Sequence, residues 1–207
     1  MTAQHLFSYE DPVSEKHVKE VCRILDKDGI IAYPTDVNWA FACRFDSKKG
    51  MQNILALKPD HPKKQPFSLL CDSLSMVAKY SYLESHHYKL LKRILPGAYT
   101  VVVAINKNLP RSVRDGKKTV GVRIPQRPLI TSVISHLDAP LVTSSLPLGP
   151  DGDPLKFGFQ VHELFGHALD LVLDLGEELP GLETTVLDLT QPEPEVLREG
   201  AGPVDVY

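Results

Sequence analysis

Two runs, YTVVVAI at 99–105 and TVGVRIP at 119–125, are dense in β-branched residues and too short for helices of a globular core. They are the clearest strands in the chain, and everything around them alternates between helical and extended patterns. Ser14 followed by Val18, Val21, Cys22 and Leu25 has helical spacing behind an N-cap, and Gly29 stands where that helix should stop. IIAY and WAFACRF read as buried strands on either side of Pro34-Thr35-Asp36. Met51, Ile54 and Leu55 form the next helical face, leading to Lys58 and a proline-punctuated loop, KPDHPKKQP. FSLLC follows as a strand, then short helices around 73–80 and 85–95, and a helix at 128–137 opened by Pro128. Strand-like segments recur at 140–144, 170–174, 184–189 and 195–198. Helices alternate with strands early and strands crowd together late, so the expectation is one α/β domain with a mixed sheet.

The 207 residues, 43% of them hydrophobic, suffice for one substantial core. No apolar run approaches the roughly 18 residues of a membrane helix, and no basic start precedes an apolar stretch, which points to a cytoplasmic address and no membrane partner. Cys22, Cys43 and Cys71 lie far apart without C-x-x-C spacing, so reduced, buried thiols are expected. The net charge of −3 conceals an asymmetry. Residues 1–127 hold 21 of the 23 Lys and Arg against 12 acids, a net of +9; the remaining 80 hold Lys156 and Arg198 against 14 acids, a net of −12. Such polarity reads either as a salt-bridged seam between the two parts, the favoured reading, or as a basic face that attracts phosphates.

Hydroxyls gather where strands end. Thr35 follows one strand, Thr143-Ser144-Ser145 closes another, and Thr184-Thr185 opens a third. In an open α/β sheet, ligands collect beyond strand ends, although any one such hydroxyl also serves as a helix cap or turn residue. Three cations stand in comparable places: Lys58 after a helix, Arg123 inside VGVRIP and Arg198 inside VLREG. A charge within an apolar strand must be paired or serve a ligand, since burying it alone costs several kcal/mol. For Arg123 the alternative to a ligand is a structural ion pair, for instance with an acid of the C-terminal half. Neither G-x-x-x-x-G-K-[ST], G-x-G-x-x-G nor G-x-S-x-G occurs. His162-Glu163 and His167 come close to a zinc motif but carry one residue too many for both imidazoles to share a helix face. These histidines, and the pair His86-His87, read as surface or packing residues, and no metal site is expected.

Taken in order, YPTD, the K-P loop, PGAYTVVV, KTVGVRIP, APLVTSS, TTVLDL and VLREG resemble the YrdC/YciO family, over about residues 10–202, a span read as a single YrdC-like domain. PGAYTVVV, KKTVGVRIP and ETTVLDLTQPEPEVLREG look more like the YciO branch than the threonylcarbamoyl-AMP synthase branch. The resemblance implies a twisted mixed β-sheet flanked by helices around a large, concave, positively charged cavity. It implies ATP or an AMP-type nucleotide as ligand, Mg2+ if the protein is catalytic, L-threonine as a second small ligand, and double-stranded RNA or tRNA as a further partner. By matching positions, Lys58 and Arg123 would be catalytic, with Lys58 at the ATP phosphates and Arg123 at the amino acid's carboxylate. Thr35, Thr143 and Thr184 would join Arg123 at the substrate, and Thr119, Ser145 and Arg198 would join Lys58 at the nucleotide.

The chain also departs from the synthase pattern. Lys58-Pro59-Asp60 has an acid where synthases carry the arginine of a K-x-R pair, with Lys63 and Lys64 the nearest replacements, and SSLPLGPDG replaces S-x-x-N-x-S-G. An acid beside a triphosphate opposes its binding. The expected function is therefore nucleotide or RNA binding with weak or altered threonylcarbamoyl-AMP synthase activity linked to tRNA modification; the alternative is a non-catalytic module for double-stranded RNA or tRNA. Oligomeric state is left open.

Overall fold

The computed structural model describes residues 2–59, 67–114 and 116–205, without the side chain of Ser112. Its first strand, β1 (Gln4–Phe7), precedes helix α1 (Glu15–Leu25). Ser14 caps α1 by accepting the His17 amide, and the helix buries Val18, Val21, Cys22, Ile24 and Leu25. The chain turns after α1 at Asp28, whose φ of 60° is left-handed. Gly29 follows that turn and is required for a different reason, because a Cβ there would lie 2.6 Å from the Ile24 carbonyl oxygen. Strands β2 (Ile31–Pro34) and β3 (Trp39–Arg44) then run antiparallel through the core, with Ile31, Ala32, Tyr33, Phe41, Ala42 and Cys43 sealed from solvent.

Helix α2 (Lys48–Ala56) is capped by Ser47 and leads to Lys58. Strand β4 (Ser68–Leu70), helix α3 (Leu74–Tyr80), the two-residue strand β5 (Ser81–Tyr82) and helix α4 (Ser85–Ile94) follow. The central hairpin is β6 (Tyr99–Ile105), the short helix α5 (Arg111–Arg114) and β7 (Thr119–Arg123). Helix α6 (Pro128–Leu137) begins with proline at its first turn, as read from the sequence, and runs into β8 (Leu141–Ser145). The remainder is α7 (Gly158–Phe165), β9 (Leu171–Asp174), β10 (Thr185–Asp188) and β11 (Glu195–Arg198).

The strands form one sheet in the order β1-β9-β2-β3-β8-β4-β7-β6-β10-β11, with β5 added beside β6. Pairings β1·β9, β2·β9, β4·β7 and β6·β10 are parallel, and the rest are antiparallel. The mixed α/β fold expected from the sequence is therefore present. Four elements, β1, β5, α5 and α7, have no counterpart in that reading. β1 is a half-exposed edge strand with little apolar signal, and α7 lacks a Ser, Thr, Asp or Asn cap, its entry being held by Gln160 Oε1 accepting the Lys156 and Phe157 amides.

The three cysteines are buried free thiols; burial pushes Cys22 up to about 11 and Cys43 up to about 12. His162 bonds the Ala3 carbonyl and stacks on His5, while His86 and His87 both reach the Pro192 carbonyl, so these imidazoles pack as expected. Among the described residues the salt-bridged seam is reduced to isolated contacts, one of them His5 Nε2 with Asp174 Oδ2 at 2.8 Å. Among the described residues one arginine bridge crosses the boundary at 127, from Arg127 to Glu177, and no lysine before that boundary bridges any carboxylate. No helix of the described residues is long and apolar enough to cross a membrane.

Candidate functional site

A strand presents alternate residues to one face, and the central strands use that face to build the floor of an open cavity of about 1040 Å³. β7 contributes Thr119, Gly121 and Arg123, β6 contributes Thr100 and Val102, and β8 contributes Thr143 and Ser145. In register, Gly121 lies opposite both Ser68 of β4 and Val102, and Ser68 lies opposite Thr143. Gly121 keeps this floor deep, since a Cβ there would approach Ser68 Oγ to 2.7 Å and Thr100 Cγ2 to 3.1 Å. The walls come from Lys58 behind α2, the loop 146–150, Phe165 of α7, Glu183-Thr184 and Leu197-Arg198.

Of the eight residues singled out by sequence, Lys58, Thr119, Arg123, Thr143, Ser145, Thr184 and Arg198 line this one cavity. Lys58 Nζ reaches across from α2 to the end of β8, donating to Ser144 Oγ and to the Ser145 carbonyl, both at 2.7 Å. Neither acceptor carries charge, and burial pulls the ammonium's pKa down to about 8. Arg123 is almost fully buried and donates through Nη2 to Asp36 Oδ1 at 3.1 Å, while its Nε has no partner. The ion-pair reading of Arg123 thus holds, with an acid from the N-terminal part of the chain, and the residue also lines the cavity. Arg198 is pinned by the two residues that precede β10: Nε and Nη2 donate to the Thr184 carbonyl, Nη2 also reaches Thr184 Oγ1, and Nη1 pairs with Glu183 at 3.0 Å.

The hydroxyls divide into free and committed. Thr143 Oγ1 donates to the Phe41 carbonyl and so accepts from Tyr33, a buried phenol pushed up to about 12. Thr184 Oγ1 pairs with Thr100 Oγ1 at 2.8 Å. Thr119 and Ser145 are the more accessible of the set.

Thr35 is the exception. It is fully buried outside the cavity lining; its Oγ1 donates to the Asn38 carbonyl and accepts from the Val37 and Asn38 amides. A hydroxyl saturated by its own turn has no capacity left for a substrate, so the expected substrate contact at Thr35 is corrected to a turn hub. Asp36, assigned no role from sequence, does the reaching instead. Ser68, Gly121 and Glu183 were also missed. A glycine inside an otherwise β-branched strand was the one available signal. Asp60, Lys63 and Lys64 lie outside the described residues. Among the described residues no group of three His, Cys, Asp or Glu is arranged to hold a metal.

A family model described as "Telomere recombination" and named for Sua5, YciO and YrdC matches residues 23–200. The YciO protein of Escherichia coli K12 is 30% identical over 206 residues, covering 99% of each chain. The threonylcarbamoyl-AMP synthase of Psychromonas ingrahamii is 27% identical over 175 residues, covering 83% of this chain and 91% of that one. Among solved structures, E. coli YciO superposes with a TM-score of 0.91 at 29% identity and 99% coverage of both chains. Sua5 of Pyrococcus abyssi, solved in complex with L-threonine, gives 0.84 at 22% identity, covering 99% of this chain and 59% of that one. At that identity the second match speaks for the fold.

Proposed function

Because this chain belongs to the Sua5/YciO/YrdC family, we propose that its concave cavity binds an adenine nucleotide and supports threonylcarbamoyl-AMP synthase-like chemistry in weakened or altered form. The observation that carries the reading is the arrival of Lys58, Arg123 and Arg198 from three distant parts of the chain at one hydroxyl-lined hollow. Transfer of an adenylate proceeds by in-line attack on the α-phosphorus and asks for fixed positive charge around phosphate, with no side-chain nucleophile required. Lys58 supplies such a charge to the phosphates of ATP, with Thr119, Ser145 and Arg198 beside the nucleotide. Arg123, oriented by Asp36, meets a substrate carboxylate such as that of L-threonine, with Thr143 and Thr184 at the same end. The single carboxylate in the lining, Glu183, is engaged by Arg198. The described residues therefore do not make a magnesium site, and no step is assigned to a protein-held metal.

The geometry also supports attenuation. Arg198 has each of its three nitrogens occupied by Glu183 or Thr184, so it lends less to a phosphate than an unpaired guanidinium does. Incubation with ATP, bicarbonate and L-threonine should release pyrophosphate slowly and dependently on all three. A rate equal to the protein-free control removes the catalytic half of the proposal.

One observation favours a second reading, a non-catalytic module for double-stranded RNA or tRNA: the lysines before residue 127 leave their charge unbridged among the described residues. RNA retention in a gel that falls steeply between low and physiological salt, without pyrophosphate release, would favour that module.

A further inference from the structure

Lys58 has a property that phosphate binding does not require. Among the described residues its Nζ meets only the two neutral oxygens of Ser144 and Ser145, and no carboxylate bridges it. The other charged residues lining the cavity are Arg123, Arg198 and Glu183; Glu183 is taken by Arg198, and Asp36 behind the wall is taken by Arg123. An amine in that setting has no anionic partner, and its two acceptors are satisfied by a neutral NH2 as well as by an ammonium. With its pKa drawn down to about 8 by burial, roughly a fifth of it is unprotonated at about pH 7.4, against about 0.1% for an ordinary lysine.

We propose that Lys58 is a carbon dioxide acceptor, forming a carbamate on Nζ that Arg123 stabilises. The nitrogen lone pair attacks the carbon of CO2, the N–C bond forms as one C–O π pair moves onto oxygen, and the proton on nitrogen leaves to solvent. The product is an N-carboxylate anion, reached with CO2 as the only co-reactant. Arg123 lines the same space with an Nε that has no partner, and favours the negative product over the neutral amine. The adduct replaces one positive charge by one negative. The described charged lining, three cations and one acid, would pass from +2 to zero. Weaker nucleotide binding in the carbamylated state rests on the reading in the preceding subsection; formation of the adduct does not.

The test equilibrates the whole protein with 13C-labelled bicarbonate, traps carbamates by ethylation with triethyloxonium, and maps the label by peptide mass spectrometry. The expected result is ethylated carbamate on the Lys58 peptide, at least ~10-fold above exposed lysines such as Lys48, Lys79 and Lys92. It should be greater at about pH 8.5 than at about pH 6.5, following the neutral amine, and absent in Lys58→Arg. Label spread evenly over exposed lysines, or an unlabelled Lys58 peptide, overturns the proposal. Calorimetry with ATP separates the two claims. ATP binding with no label at Lys58 defeats the carbamate alone, whereas label at Lys58 with no ATP binding even to protein kept free of CO2 and bicarbonate upholds the carbamate and defeats the nucleotide reading.

Discussion

One ammonium sets how the cavity responds to pH. A lysine attracts an anion by charge only while protonated, and the Lys58 pKa of about 8 places the loss of that charge just above neutrality. Affinity for ATP should therefore fall as pH rises through about 8, and Lys58→Arg, whose guanidinium stays charged, should hold its affinity across the same range. A calorimetric titration at several pH values reads the difference. The same shift has a stability consequence. The folded pKa lies below the unfolded one, so the folded state is penalised wherever both are protonated, and stability rises as pH increases from about 8 toward the unfolded value near 10.4. Lys58→Met should stabilise the protein near neutral pH by on the order of 1 kcal/mol, since partial solvation screens much of the penalty. Thermal unfolding of the two proteins checks the sign.

The turn between β2 and β3 shows where an element is legible in sequence and where it is not. The break at Pro34 stands out because a hydroxyl and a carboxylate interrupt an apolar run, and the strands on either side form as expected. The division of labour within the turn is not visible in sequence. Thr35 and Asp36 are adjacent, and only the backbone path decides which one folds onto its own turn and which one reaches Arg123. The turn carries two buried atoms without partners, Asp36 Oδ2 and Asn38 Oδ1, and the Nε of Arg123 is likewise unpartnered. It depends on outside support from Arg127, which gives two N–H groups to the Thr35 carbonyl and bridges Glu10 and Glu177. Arg127→Ala removes those donors and leaves Glu10 half-buried without its cation. It should destabilise the fold by roughly 2–4 kcal/mol. Arg127→Lys should recover less than half of the loss, because an ammonium lacks the planar fork; urea unfolding midpoints measure both.

At the scale of the whole molecule, the sheet order is what brings the site together. β8 lies between β3 and β4, and β10 lies beside β6, so residues near 58, 121, 144 and 184 meet although nothing local joins them. Periodicity located most of the strands because each is a local pattern of apolar residues. It carried no information on long-range pairing, and the convergence of cations came from the ordered family segments. Charge asymmetry misled in the same way: a net of +9 against −12 says nothing about which residues touch, and the basic excess stays on lysines that pair with no acid among the described residues. The central claim is that this assembled floor, with Lys58 at its rim, is a nucleotide site. Isothermal titration of ATP into the wild-type protein and into Lys58→Met tests it most directly, because the variant is expected to fold at least as well. The account predicts saturable one-site binding in the first and a loss of at least ~10-fold in the second, the scale of one charge-assisted contact. Absence of binding heat in the wild type, or equal affinity in the two proteins, would contradict it.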